Sequence, residues 1–177
     1  MGYGNLAAAW VARGTAAVAV AAWVVTCAAV AAPNLCIENK GGTTGPAPAA
    51  VNKKHYDTAF RLFEAEARRG NAYAQMKLGI MYRLGVGVPQ DFGMAISWWR
   101  LGAEGGNANA QCNLAFMYLY GTGIEQDSIL AYMYFDLAAA EGHADARAKR
   151  DIVATWRLTA VELAEAQRLA TQWRATH

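Results

Sequence analysis

Charge is scarce in this chain. Only 17% of its 177 residues are Asp, Glu, Lys or Arg, the formal net charge is +2, and no five like charges run together. A nucleic-acid surface, an acidic tail and a basic arm are therefore not expected. Proline is scarcer still, at four residues, two of which (Pro46 and Pro48) share one short stretch. Three histidines and three cysteines are present, but neither His-Glu-x-x-His nor Cys-x-x-Cys occurs, and there is no Gly-x-Ser-x-Gly. The spacings that serve zinc sites, dithiol chemistry and serine nucleophiles are thus missing, and neither catalysis, cofactor nor metal is expected. What the chain has in quantity is alanine, which suits helices that pack closely.

The N-terminus is different in kind. Gly14 to Ala32 is a run of 19 uncharged residues behind Arg13, and Ala29-Val30-Ala31 offers small residues at signal-peptidase spacing. Residues 1–32 are expected to be a secretory signal, which implies a periplasmic or secreted protein. The rival is an uncleaved anchor, since about 20 apolar residues span a bilayer; residues 14–32 would then tether the chain to the cytoplasmic membrane. Cys27 fits a lipidation site poorly, because Thr26 stands where a small Gly or Ala is usual. Residues 33–50 contain Asn39–Ala50, rich in Gly, Pro, Thr and Ala, and read as a flexible linker.

Residues 71–106 and 107–142 then align without a gap, with 15 of 36 positions identical. A period of that length marks a solenoid of helix pairs, in which no single repeat can bury its apolar face. Helix A is expected over about Ala72–Arg83 and Ala108–Leu119, where Leu78, Met81 and Tyr82 recur as Leu114, Met117 and Tyr118. Gly85/Gly87 and Gly121/Gly123 turn the chain, and Asp91 and Asp127 are placed to cap helix B. Helix B carries Ala95, Trp98, Trp99, Leu101 and Ala103, matched by Ala131, Tyr134, Phe135, Leu137 and Ala139. Residues 51–70 match helix B of a repeat that lacks its first helix. Residues 143–177 begin in register, lose the Gly-x-Gly, and end in a helix over about Ala160–Arg174 opened by a Thr159/Glu162 capping box. The expected fold is an all-α right-handed superhelix over residues 51–177. Two full repeats with caps lie near the lower limit for such a stack, so modest stability or weak self-association is expected.

The run Ala72, Ala74, Gln75, Leu78, Gly79, Met81, Tyr82, Gly85, Gly87, Val88, Asp91, Ala95, Trp98 and Gly106 resembles the Sel-one-like repeat of the tetratricopeptide superfamily. The second copy follows it with Ala115 for glycine and Tyr134 for tryptophan, and the flanking pieces follow it in part. The resemblance implies a superhelix whose A helices line a concave groove, used by adaptors and scaffolds that bind proteins.

Carried onto this chain, the groove-facing offsets of that fold fall on Tyr73, Met76, Lys77 and Ile80, on Asn109, Cys112, Asn113 and Phe116, and on Asp145, Lys149 and Ile152. Lys77, Asn113 and Lys149 share one repeat position and would form a row, two ammonium groups flanking an amide, fit for a carboxylate or acidic side chains of an extended peptide. Lysines at that offset can equally be simply solvated. Trp98, Trp99, Tyr134 and Phe135 read as packing rather than a ligand cage. Cys112 aligns with Met76, which reads as a position asking for a modest apolar side chain, so Cys36 and Cys112 are expected to remain unpaired. The function expected is a non-catalytic interaction module for a protein or peptide. The alternatives are a membrane-anchored structural subunit and, less favoured, an exported cell-wall-active enzyme.

Overall fold

The structure, a computed structural model, describes Cys36 and residues 53–177. Residues 1–32, which carry the export or anchor expectation, and the linker other than Cys36 lie outside the described residues. Seven helices and no strand occur among the described residues. They are α1 (Lys53–Arg68), α2 (Ala72–Leu84), α3 (Phe92–Glu104), α4 (Ala108–Tyr120), α5 (Ser128–Ala140), α6 (Ala144–Trp156) and α7 (Ala160–Thr176).

The repeat is written into the helix starts. Ala72, Ala108 and Ala144 open the A helices and Phe92 and Ser128 the B helices, all at steps of 36. Each start has a side chain that satisfies a free amide of the first turn. Asn71 accepts from the Ala74 N–H at 3.1 Å and Asn107 from Ala110 at 3.0 Å. His143 takes the same position in the third unit and accepts from Ala146 through Nδ1 at 3.3 Å. Asp91 and Asp127 cap α3 and α5, each at 2.9 Å. Thr159 and Glu162 form the reciprocal capping box of α7.

The A helices end on Gly85 and Gly121, both left-handed at φ 67° and 65°, a conformation that glycine adopts without steric cost. The second glycine of each pair does something else. A Cβ on Gly87 would meet the Tyr56 backbone of α1, and one on Gly123 would meet Phe92 of α3. Tyr56 and Phe92 are themselves 36 residues apart, so each loop lies flat against the preceding B helix.

Successive helices from α1 to α6 pack on one another, and α7 packs back on α5. The A helices α2 and α4 also touch, whereas α3 and α5 do not approach as closely. The A helices therefore lie on the inner side of the curve. Repeats are tied across their joint by Gln75 to the Ala67 carbonyl (3.1 Å) and by Gln111 to the Ala103 carbonyl (3.4 Å). Trp99 is fully buried and donates its indole N–H to the Met76 carbonyl at 3.1 Å. Phe135 is fully buried at the matching position, and Tyr134 stacks on Tyr118 at 5.8 Å between centroids. Trp98 is half-buried against the core. These four aromatics hold the stack together.

The chain end is closed by charge as well as by packing. Asp136 of α5 receives Arg150 of α6 at 3.0 Å and Arg174 of α7 at 2.8 Å. In α6 only Ala146 and Val153 are fully buried, and in α7 only Ala166 and Ala170, so the last two helices present mostly polar surface outward.

Candidate functional site

The groove-facing positions expected from the sequence fall on α2, α4 and α6, and the structure treats them unevenly. Tyr73 (43% exposed) and Ile152 (52% exposed) face solvent. Asp145 is exposed and Lys149 is half-buried. Met76, Lys77, Ile80, Asn109, Asn113 and Phe116 are all buried. The open row of two ammonium groups around an amide is therefore not what the structure presents. Lys77 lies 3% exposed with its ammonium 5.1 Å from the centre of the Tyr73 ring, a cation–π contact made in a desolvated setting.

The amide of the expected row is already occupied. Asn113 Oδ1 accepts from the backbone N–H of Cys36 at 2.8 Å, and Asn113 Nδ2 donates to the Cys36 carbonyl at 3.2 Å. One carboxamide thus reads both polar groups of one residue's main chain. Beside it Cys36 and Cys112 form a disulfide with Cα atoms 5.8 Å apart. This corrects the expectation that both thiols stay unpaired. The alignment of Cys112 with Met76 describes what the position tolerates in a repeat, but the partner of Cys112 comes from sequence outside the repeat.

The helix that carries these residues is buried from Asn109 to Leu119, all the way round. A helix buried on every side has a neighbour on every side, and on the inner side Cys36 supplies one. Asn109 stands one turn before Asn113 and so on the same side of α4. It is 6% exposed, and its Oδ1 is buried without a hydrogen-bond partner. Such an orphan acceptor is rare enough to require an explanation.

His143 completes the neighbourhood. One of its ring nitrogens lies within 4.8 Å of both sulfurs. Nδ1 is spent on capping α6, and Nε2 is buried without a partner. Two cysteines and a histidine are a common zinc set, yet a metal needs thiolates, and with both sulfurs in the bridge this trio offers none. Asn109 and Asn113 are both among the groove-facing positions expected from the sequence, whereas the sulfur–imidazole cluster was not visible in it as a site. The available signal was that Asn113 and Cys112 stand where the first copy has Lys77 and Met76.

This arrangement defines the protein as a helical-repeat stack. More specifically, the chain carries two consecutive Sel1 repeats, matched at residues 72–107 and 108–143, and its fold is that of Sel1-like repeat proteins. Sel1 repeats commonly serve protein–protein interaction. The chain is similar in structure to c5321, described as a protective antigen present in uropathogenic Escherichia coli strains and displaying an SLR fold. The likeness has a TM-score of 0.71 at 26% identity and covers 93% of this chain and 30% of that one. It is also similar to a Sel1 repeat protein from Oxalobacter formigenes, with a TM-score of 0.53 at 27% identity, over 54% of this chain and 40% of that one. The chain thus spans less than half the length of either. No curated protein matches it.

Proposed function

We propose that this chain is a non-catalytic adaptor of the cell envelope that holds an extended segment of a partner protein on the inner face of α2, α4 and α6. The observation that carries the reading is the Asn113 carboxamide bonding both the N–H and the C=O of Cys36. That is recognition of a peptide by its main chain, independent of side-chain identity. Exposed Tyr73 and Ile152 flank the site on α2 and α6 and offer apolar contact on either side.

The envelope location is supported by two features. One is the uncharged run Gly14–Ala32. The other is the bridge, which belongs to an oxidising compartment because the cytosol keeps thiols reduced. The same apolar run also supports a membrane-anchored subunit. N-terminal sequencing of the purified protein separates the two: a start near Ala32 means cleavage, and an intact N-terminus means an anchor. For the groove itself, crosslinked pull-down of the mature protein from its own host is the test. The Tyr73→Ala/Ile152→Ala double variant is expected to lose the captured partner. Undiminished capture by the double variant contradicts the assignment of this face.

A further inference from the structure

We propose that Cys36 is the resident occupant of a peptide main-chain site on α4, latched there by its bridge to Cys112, and that reduction of the bridge opens the site to an extended segment of a second protein. This rests on the groove reading above and specifies its regulation.

Recognition and retention of Cys36 use different atoms. Asn113 holds the main chain and makes no use of the thiol, so any residue other than proline could make the same pair of bonds. Cys112, the adjacent residue on the same helix, holds the side chain covalently. A bridge to a residue 76 positions away fixes one particular occupant in a site whose hydrogen bonds are indifferent to sequence.

Asn109 shows that the site extends beyond one residue. Its buried, partnerless Oδ1 lies one turn from Asn113. A helical turn rises about 5.4 Å, and two residues of extended chain span about 6.6–6.8 Å. An incoming strand that the bridge does not constrain could therefore bond Asn113 at one residue and reach Asn109 two residues away. Cys36 bonds Asn113 and leaves Asn109 Oδ1 without a hydrogen bond.

Opening the latch is a thiol–disulfide exchange. One thiolate of a dithiol reductant attacks a bridge sulfur and the S–S bond breaks. The second thiol of the reductant then displaces the mixed disulfide. Two electrons and two protons end on Cys36 and Cys112, and the reductant leaves as its own disulfide. One His143 ring nitrogen lies within 4.8 Å of both sulfurs and stays beside the thiols as they form. Once freed, Cys36 keeps its two hydrogen bonds to Asn113 and its packing against the core, and competes with an incoming segment as any tethered ligand does.

The test uses the full chain with Cys27→Ser and a fluorescent peptide copying residues 33–39 with serine in place of Cys36, read by anisotropy. A chelator is included so that no metal gathers the freed thiolates and His143. The chain reduced with dithiothreitol is expected to bind the peptide at least about tenfold more tightly than the oxidised chain, a difference of about 1.4 kcal/mol. Asn113→Ala in the reduced chain is expected to abolish that gain. Cys36→Ser repeats the measurement without reductant. Equal affinity in the oxidised and reduced chains overturns the latch while leaving groove binding intact. No binding by a folded, reduced chain overturns the α4 site itself, and the Tyr73/Ile152 capture then judges the wider groove. Loss of helical circular dichroism in both the reduced and the Cys36→Ser chains makes the bridge a structural staple and also overturns the proposal.

Discussion

Gly79 and Trp99 meet inside the first repeat so closely that a Cβ on Gly79 would enter the indole ring. The second repeat has Ala115 and Phe135 at the same two positions, both fully buried. The smaller ring makes room for the methyl group, so the two copies solve one packing problem with different volumes. Gly79→Ala is expected to destabilise the fold by about 1–3 kcal/mol through overpacking. Adding Trp99→Phe should recover part of that loss, giving a non-zero coupling in a denaturant double-mutant cycle. A second prediction concerns Tyr134, whose phenol is pushed up to about 12 by burial, with the Tyr118 phenol adding to the effect. The folded chain keeps this proton to about pH 12, whereas an unfolded tyrosine loses it near about pH 10. The contribution is therefore complete below pH 10 and is lost as the pH rises from 10 to 12. Tyr134→Phe should flatten that alkaline fall in stability, measured by denaturant midpoints between pH 9 and 12. At this scale the packing aromatics were legible because each had a repeat-mate of similar size. Cys112 was not, because its role depends on a residue with no counterpart in the repeat.

Among the helices, the caps explain why the boundaries were readable. The sequence places the A helices to within a residue of α2 and α4, and Asp91, Asp127 and Thr159 cap where they were expected to. Asn71, Asn107 and His143 also cap, and asparagine before an Ala-x-Ala run is itself a start signal in the sequence. The third unit shows how little of the repeat a helix needs. It lacks Gly-x-Gly, yet α6 has the same 13 residues as α2 and α4. What the sequence hid is the way the end is fastened, since the arginines that meet Asp136 come from two helices, 14 and 38 positions away. Asp136 is 17% exposed, between a partly and a more fully exposed arginine. Solvent screening trims such pairs, so Asp136→Asn is expected to cost about 1–2 kcal/mol. The loss should be local, with faster amide hydrogen exchange in α6 and α7 and little change in α2 to α4.

Across the whole molecule, the bridge changes what a short stack needs. Two matched repeats bury one shared core from Ala59 of α1 to Ala170 of α7. To this the Cys36–Cys112 bridge adds the closure of a loop with a sequence separation of 76. On a chain-entropy estimate, a loop of this size is worth about 4.5 kcal/mol. Reduction should lower the denaturant midpoint accordingly, and an unchanged midpoint would show that the bridge does not constrain the unfolded chain. The superhelix was legible from the 36-residue period, whereas the covering of Asn113 and Cys112 was not, since Cys36 reaches them from outside the repeats. The claim on which the functional account stands is that this inner face, not the outer one, holds the partner. A photoreactive phenylalanine analogue placed singly at Tyr73 and Ile152, and for comparison at Met94 and Leu101 of α3, tests it in the native host; all four positions are exposed. The account predicts one discrete crosslinked partner from Tyr73 and Ile152 and none from Met94 or Leu101. The same partner crosslinked from α3 alone would contradict it.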